Sequence, residues 1–369
     1  MVVIINTELL AYIDQKVDEL KREPADDKKT ALFITKLMVR VVHGAKWSNN
    51  PYDLISGIRQ VGRILDKALP RKLIVGNIVR RILGLIRDEI EVDNDGRDAM
   101  VNSMFSLLST NNSSNNNSNN NSNNNSKNSG VPANTVAKGD LRSIIIQGII
   151  DLEDEIKNVY EGIEPMSVDL IHDNEVLLTP TPTSETVLRF LIKARSKRKF
   201  TVLVTENYPN HTQEAHSFVK KLAENQIESV LIPDTTTYAV MSRVGKVIIG
   251  SNGVFVNGGC KSNSGVANVV ECAKEHKTPV FAVAGLYKLS PLYPFNREDL
   301  IEVGNSGKVL NYNDSKLVNN VEVVSNPLDD YIPPEHIDIY ITNVGGFAPS
   351  FIYRIVLDNY KQEDNNLED

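Results

Sequence analysis

Several polar side chains that could do chemistry stand directly after short apolar runs. Glu206 follows Thr201–Thr205, and Asp234 follows Glu228–Ile232. Either carboxylate could act as a general base, but a hydrogen-bonded structural carboxylate is the commoner role. Asp234 could equally cap the helix predicted after it. A third run ends in Thr179-Pro-Thr-Pro-Thr-Ser184, which holds neither a Cys–His nucleophile pair nor a Gly-x-Ser-x-Gly elbow.

Two short glycine clusters could bind an anion. Gly250-Ser-Asn-Gly253 and Asn257-Gly-Gly259 precede a helix predicted near residues 264–276. Backbone N–H groups ahead of a helix can face a phosphate. Neither cluster fits Gly-x-Gly-x-x-Gly or a P-loop, so a bound phosphate is the less favoured interpretation.

The histidines and cysteines do not have the spacing of metal ligands. His211 and His216 are interpreted as surface residues, and Cys272 as a small core residue. The basic run Lys193–Lys199 ends a predicted helix and has no aromatic platform, so a solvated helix end is favoured over a nucleic-acid site. No metal and no cofactor are predicted.

From about residue 166, the pattern predicts an α/β region that would bring the candidate side chains together. Predicted strands cover residues 176–179, 201–205, 228–232, 246–250 and 279–284, with helices near 184–196, 212–225, 236–243 and 264–276. Strands that alternate with helices are typical of a parallel sheet covered on both faces. Such sheets bind ligands at the carboxyl ends of their strands.

The part before residue 166 has a helical pattern instead. Apolar residues at three- and four-residue spacing predict helices over residues 31–43, 51–69, 73–91 and 136–161. The fold class is therefore α/β, with an N-terminal helical bundle over residues 1–165 and a Rossmann-like domain with a mostly parallel sheet over 166–369. Residues 111–129, with 12 Asn, six Ser and one Lys, are predicted to be a disordered insertion in the helical domain.

Composition narrows the class of protein. The 369 residues carry 40 basic and 47 acidic side chains, a net charge of −7 spread along the chain without one dominant block, which disfavours a nucleic-acid binder. Two cysteines exclude a disulfide framework. The chain has no apolar run long enough to span a membrane and no signal-peptide pattern, so a cytosolic protein is expected.

The C-terminal segment concentrates aromatic and aliphatic residues. Asn343 and the pair Gly345–Gly346 predict a turn, and Pro349 can begin a terminal helix. The following apolar side chains suit either core packing or a subunit interface, and the sequence leaves that choice open.

Five stretches carry a resemblance to a known family. They are Lys46-Trp-Ser-Asn49, Val75-Gly-Asn-Ile-Val-Arg-Arg81, Ala239–Gly250, Leu286-Tyr-Lys-Leu-Ser-Pro291 and Asn343–Arg354. Through them the chain resembles the regulatory-subunit family of eukaryotic translation initiation factor 2B, the guanine-nucleotide exchange factor for initiation factor 2. The motifs favour the beta branch over the alpha and delta branches. The resemblance implies a helical bundle followed by a Rossmann-like domain.

The resemblance also implies partners and a function. The chain would be a non-catalytic regulatory subunit that assembles with alpha, gamma, delta and epsilon subunits and receives the alpha subunit of initiation factor 2, phosphorylated or not. It would thus belong to the stress-response control of translation. Candidate partner contacts are Asp234, Arg243, Asn343, Gly345, Gly346, Phe351, Tyr353 and Arg354.

The same fold includes sugar-phosphate isomerases such as methylthioribose-1-phosphate isomerase, which supply the alternative function. By resemblance, Thr181 stands at their catalytic Cys position and Asn252 at their catalytic Asp position. Tyr208 replaces an Arg, and Asn263 falls at an Asn–Lys pair with Lys261 out of register. Threonine is a poor nucleophile, and an amide cannot exchange the proton that isomerisation moves. A residual isomerase or sugar-phosphate sensor is therefore the less favoured hypothesis.

Overall fold

The computed structural model describes most of the chain. The described residues are 7–22, 26–44, 51–70, 72–95, 140–296, 300–313 and 319–367. The Asn/Ser tract at 111–129 and the motif Lys46–Asn49 lie outside them. No helix in the described ranges is long and apolar enough to cross a membrane.

The described N-terminal part is helical, as the apolar spacing predicts. Its helices are α1 Thr7–Arg22, α2 Asp27–Gly44, α3 Pro51–Ala68, α4 Leu73–Asp95, α5 Asp140–Lys157, α6 Val159–Ile163 and α7 Met166–Leu170. Ile34 and Met38 on α2 and Ile78 and Ile82 on α4 are fully buried at four-residue spacing, because residues so spaced lie on one face of a helix. The predicted bundle is confirmed over these residues.

A seven-stranded sheet forms the centre of the second part. The strands and helices are β1 Glu175–Thr179, α8 Glu185–Arg195, β2 Phe200–Thr205, α9 Thr212–Glu224, β3 Glu228–Ile232, α10 Thr237–Met241, β4 Lys246–Gly250, β5 Gly253–Phe255, β6 Cys260–Asn263, α11 Val266–His276, β7 Val280–Val283, β8 Leu289–Ser290, β9 Asp329–Ile332, β10 Ile339–Thr342, β11 Gly345–Phe347 and α12 Ile352–Asn359. The strand order is β11-β10-β7-β4-β1-β2-β3, and all neighbours are parallel except β10 and β11. The mostly parallel Rossmann-like sheet is thus confirmed.

The strand order divides the helices between the two faces. From β1 the chain winds outward through β2 to β3, and then returns to β4 and winds the other way. Right-handed crossovers therefore put α8 and α9 on the face that shares its core with the helical bundle, whereas α10, α11 and α12 pack in a second core. The point of reversal lies between β1 and β4, and a parallel sheet forms its crevice there.

A second, four-stranded sheet, in the order β8-β5-β6-β9, was not predicted from the sequence. Its strands span two to four residues, too few for an alternating pattern to be recognised. Within it, Gly253 begins β5 and Asn257–Gly259 makes the turn to β6. The N–H groups of Gly250, Gly253, Gly258 and Gly259 donate within the chain, to Thr181 Oγ1, Ser251 Oγ, the Phe255 carbonyl and Asn257 Oδ1. The alternative of an anion loop is wrong for these four groups.

Candidate functional site

A crevice of about 1150 Å³ lies where the helical bundle meets the carboxyl ends of the strands. Its walls come from the start of α2, the starts of α4 and α8, the α9 helix and strands β6 and β9. The side chains that line it include Asp27, Thr183, His211, Asn252, Lys261, Lys288 and Asp329. The crevice therefore occupies the place where this fold binds small molecules.

Thr181 lies just after β1 and joins the ends of β1 and β4, the two strands between which the sheet reverses its direction of winding. Its hydroxyl oxygen accepts the Gly250 N–H at 2.9 Å and lies 3.3 Å from the hydroxyl of Thr179. Thr181 is 2% exposed, so this hydroxyl is buried between the ends of β1 and β4. At the position where a nucleophile is expected, the chain has a structural hydrogen bond.

Three amide and hydroxyl side chains form a network beside Thr181. Asn252 Nδ2 donates to Asn263 Oδ1 at 3.1 Å and to Asp329 Oδ1 at 3.4 Å. Asn263 Nδ2 in turn donates to Thr183 Oγ1 at 2.7 Å. Neither amide can accept and return a proton near neutral pH, so Asn252 and Asn263 position the strand ends and cannot act as an acid or a base.

The two buried lysines of the crevice are paired with carboxylates of the same chain. Lys261 Nζ lies 2.9 Å from Asp329 Oδ2. Lys288 Nζ donates to the Ser251 carbonyl at 2.7 Å and lies 3.2 Å from Asp27 Oδ2 on α2. A phosphate in the crevice would have to compete with these carboxylates for the two lysines. The crevice should therefore bind an anion more weakly than two unpaired lysines would.

Asp234 holds the loop after β2. Its carboxylate accepts the N–H groups of Asn207 at 3.2 Å and Tyr208 at 2.9 Å. The alternative that Asp234 caps the helix after it is wrong, since the residue that precedes α10 is Thr236 and no side-chain capping bond is made there. The Tyr208 ring is 64% exposed. Glu206 is half-buried and its N–H extends the β2–β3 pairing by donating to the Ile232 carbonyl.

Asn207 is a structural residue that sequence reasoning missed. It adopts φ +52°, and its side-chain amide donates to the carbonyls of Pro180 and Ser264, both at 3.2 Å. It therefore ties three strand-end loops together. Asn tolerates the left-handed region better than most residues. In the sequence, the only indication of a role for Asn207 was its position directly after Glu206 at the end of a predicted strand.

His211 corrects the prediction of a solvated surface residue. It is half-buried, lines the crevice, and its Nδ1 is buried without a hydrogen-bond partner in the described part of the chain. Burial lowers the pKa of His211, with nearby Lys308 acting in the same direction. His216 is exposed, as predicted. Across the described residues, no three His, Cys, Asp or Glu side chains are grouped to hold a metal ion.

The C-terminal candidates fall on one surface. Phe351 stacks on Phe347 with ring centres 5.4 Å apart, and Phe351 and Tyr353 remain 37% and 54% exposed. Arg354 is exposed beside Asp358 at 3.7 Å. Gly345 and Gly346 belong to β11, the neighbouring edge strand. This surface thus has the aromatic and arginine composition of an interface centre.

Of the other three candidates, Asn343 lies in the turn that precedes β11, and Asp234 and Arg243 lie elsewhere. Asn343 Oδ1 accepts the Leu286 N–H at 2.9 Å, a bond made inside the chain. Asp234 follows β3, the opposite edge of the sheet from β11, and Arg243 is exposed after α10. The structure therefore does not bring all of the predicted partner contacts together, and their roles stay predictions.

The fold and crevice together define a class: a Rossmann-like protein with an N-terminal helical bundle, in which the side chains at three of the four expected isomerase positions, Thr181, Asn252 and Asn263, make structural hydrogen bonds. The chain belongs to the Initiation factor 2 subunit family, whose model matches residues 25–349. It is 35% identical to the translation initiation factor eIF2B subunit beta of Schizosaccharomyces pombe, over 96% of this chain and 97% of that protein.

Solved structures agree with this relationship. A chain of the tetrameric eIF2B-beta2-delta2 complex from C. thermophilum superposes with a TM-score of 0.69 at 30% identity, covering 95% of each chain. The ribose 1,5-bisphosphate isomerase of Archaeoglobus fulgidus is 29% identical, but over only 47% of this chain and 54% of the enzyme. The full-length relationship is therefore with initiation-factor subunits, and the isomerase relationship covers about half the chain.

Proposed function

We propose that this chain is a non-catalytic regulatory subunit of the guanine-nucleotide exchange factor complex for translation initiation factor 2. The observation that carries the proposal is similarity to beta subunits over nearly the whole length of both chains. The crevice supports it, because Thr181 and Asn252 are engaged in structural hydrogen bonds. Residues 1–165 would then act as a helical domain and 166–369 as the α/β domain.

Assembly would use the exposed C-terminal surface around Phe351, Tyr353 and Arg354. A related beta subunit is found in a complex with delta, and exposed aromatic rings beside an arginine are the side chains that dominate binding energy at protein interfaces. We assign delta as the partner of this surface. The alpha, gamma and epsilon subunits would complete the assembly in the cytoplasm, and the helical domain would contribute to binding the alpha subunit of initiation factor 2.

Co-expression with the sister subunits tests this proposal. The tagged chain should recover delta and, with the full set present, all four sisters, as shown by native mass measurement of the complex and its components. Arg354→Glu should lower recovery of delta at least tenfold. The new carboxylate would be repelled by the groups of the partner that attract an arginine, and it would lose its hydration on binding. Lys220→Glu makes the same charge change on exposed α9 and should leave recovery unchanged.

Two outcomes would contradict different parts of the proposal. Recovery of the chain alone, when all sisters are expressed and folded, would overturn its role as a subunit. Full recovery of the complex with both Arg354→Glu and Tyr353→Glu would leave the subunit role standing but remove the C-terminal surface from the delta interface.

A further inference from the structure

The segment Lys361–Leu367, directly after α12, lies against helices α3 and α4 of the helical bundle. Four arginines of those two helices contact it: Arg59, Arg63, Arg80 and Arg87. We call these four residues the arginine groove. The sequence pattern gave no indication of this site, because the two sides are separated by about 280 to 305 positions.

A single buried carboxylate is the centre of the contact. Asp364 has a fully buried side chain, and two arginines donate to it. Arg59 does so through Nε at 3.3 Å and Nη2 at 2.9 Å, and Arg87 through Nε at 2.8 Å and Nη2 at 3.1 Å. Paired donation by a planar guanidinium is specific for a carboxylate, so the groove distinguishes Asp364 from a neutral residue.

Three of the four arginines also donate hydrogen bonds to main-chain carbonyls of the segment. Arg59 Nη2 donates to the Glu363 carbonyl, Arg80 Nε to the Asn365 carbonyl at 3.1 Å, and Arg63 Nε to the Leu367 carbonyl. Residues Gln362–Asp364 form a 3-10 turn, so the arginines hold a turned peptide partly by its main chain.

Leu367 adds an apolar contact to these polar ones. Leu367 is 3% exposed and packs in the core of the helical bundle. Glu363 adds an ion pair with Arg87 Nη1 at 2.5 Å. The segment therefore presents the pattern Glu-Asp-x-x-Leu, in which the second residue binds the guanidinium groups and the last fills an apolar site.

We propose that the arginine groove is a peptide-recognition site for an acidic segment of the pattern Glu-Asp-x-x-Leu, and that Lys361–Leu367 occupies it as a separable ligand within the same chain. The ion pairs and hydrogen bonds that hold the segment come from α3 and α4, while its covalent link comes from α12 on the α/β side. Binding of the segment in the groove therefore attaches the α/β part of the molecule to the helical bundle.

Binding of the segment in trans tests the proposal. The receptor is the full chain carrying Asp364→Asn and Leu367→Ala, whose own segment competes poorly, after circular dichroism shows that it is folded. A fluorescent peptide of residues 361–367 should bind it saturably and bind the wild-type chain at least tenfold more weakly. The Asp364→Asn peptide should bind the receptor at least tenfold more weakly than the wild-type peptide. Absence of binding, or equal binding of both peptides, would overturn the proposal.

A second measurement applies even where the double substitution prevents folding. A protease site is inserted between Tyr360 and Lys361 of the otherwise unaltered chain and cut after folding. Native mass spectrometry should find the cleaved segment still bound at low salt. It should be lost from a chain with Arg59→Gln and Arg87→Gln, but retained with Arg189→Gln and Arg195→Gln, two arginines of α8 outside the groove. Release of the segment from the folded, unsubstituted chain at low salt would contradict the proposal.

Discussion

The Gly250 N–H donates to Thr181 Oγ1 at 2.9 Å and so joins the ends of β1 and β4, the two strands between which the sheet reverses its direction of winding. In open parallel sheets, ligands bind in the crevice beside this point of reversal. Here the two strand ends beside the crevice are joined by a bond between a buried hydroxyl and the backbone. The molecule therefore has the architecture of a ligand-binding enzyme while its crevice is held by structural contacts.

Replacing Thr181 tests how much this bond contributes to stability. Thr181→Val keeps the shape but removes the acceptor, which leaves the buried Gly250 N–H unpaired. A buried donor without a partner costs about 1–3 kcal/mol, so the free energy of unfolding in urea should fall by that amount. Thr181→Ser retains the hydroxyl and is the matched control. Equal stability of the two variants would show that the bond has no energetic role.

The ion pair between Asp27 and Lys288 should couple the helical bundle to the crevice. Both side chains are largely buried and Lys288 also donates to the Ser251 carbonyl. A double-mutant cycle with Asp27→Asn and Lys288→Met should give a coupling of about 0.5–3 kcal/mol, the range for residues in contact within one network. The exposed pair of Glu185 and Arg189 on α8 should give only about 0.3–0.5 kcal/mol. A smaller coupling for the buried pair would count against this role.

The pH dependence of stability should contain a contribution from His211. Burial lowers the pKa of His211 in the folded chain, so the unfolded chain binds its proton more readily. The contribution is therefore fully present above about pH 6.5, the usual histidine pKa, and is lost as the pH falls through that value toward the folded pKa. The slope cannot exceed about 1.4 kcal/mol per pH unit for one group.

Urea titrations between pH 7.5 and the lowest pH at which the chain stays folded measure this slope. His211→Gln should flatten it, whereas His216→Gln, at an exposed position of the same helix, should not. The charged groups near His211 are Glu214, Lys308 and Asp329, which stay unchanged in both variants. An identical slope in the two variants would show that His211 is protonated equally well in the folded and unfolded chains.

The elements of the fold follow from local patterns, but the contacts of the site do not. The four-residue spacing of Ile34 and Met38, and of Ile78 and Ile82, predicts helices because it is a property of neighbouring residues. The pairing of Asp364 with Arg59 and Arg87, by contrast, depends on packing between distant segments. His211 was misassigned for the same reason, since it lines a crevice together with Glu302 and Asp329, which follow it by about a hundred residues.

Gly162 should tolerate no larger residue, because α6 passes directly against the turn at Asn343. A Cβ at residue 162 would lie within the van der Waals radius of the Asn343 carbonyl oxygen, which is main chain and cannot rotate away. Gly162→Ala should therefore destabilise the chain by about 1–3 kcal/mol, the usual cost of overpacking. Gly148, inside α5, has open space around its Cα, and Gly148→Ala should stabilise the chain by about 0.5–1 kcal/mol, since alanine is the better helix former. If Gly162→Ala lowers and Gly148→Ala raises the free energy of unfolding in urea, helix α6 and the Asn343 turn form one tightly packed contact. If both substitutions raise it, helix α6 and the Asn343 turn can move apart freely.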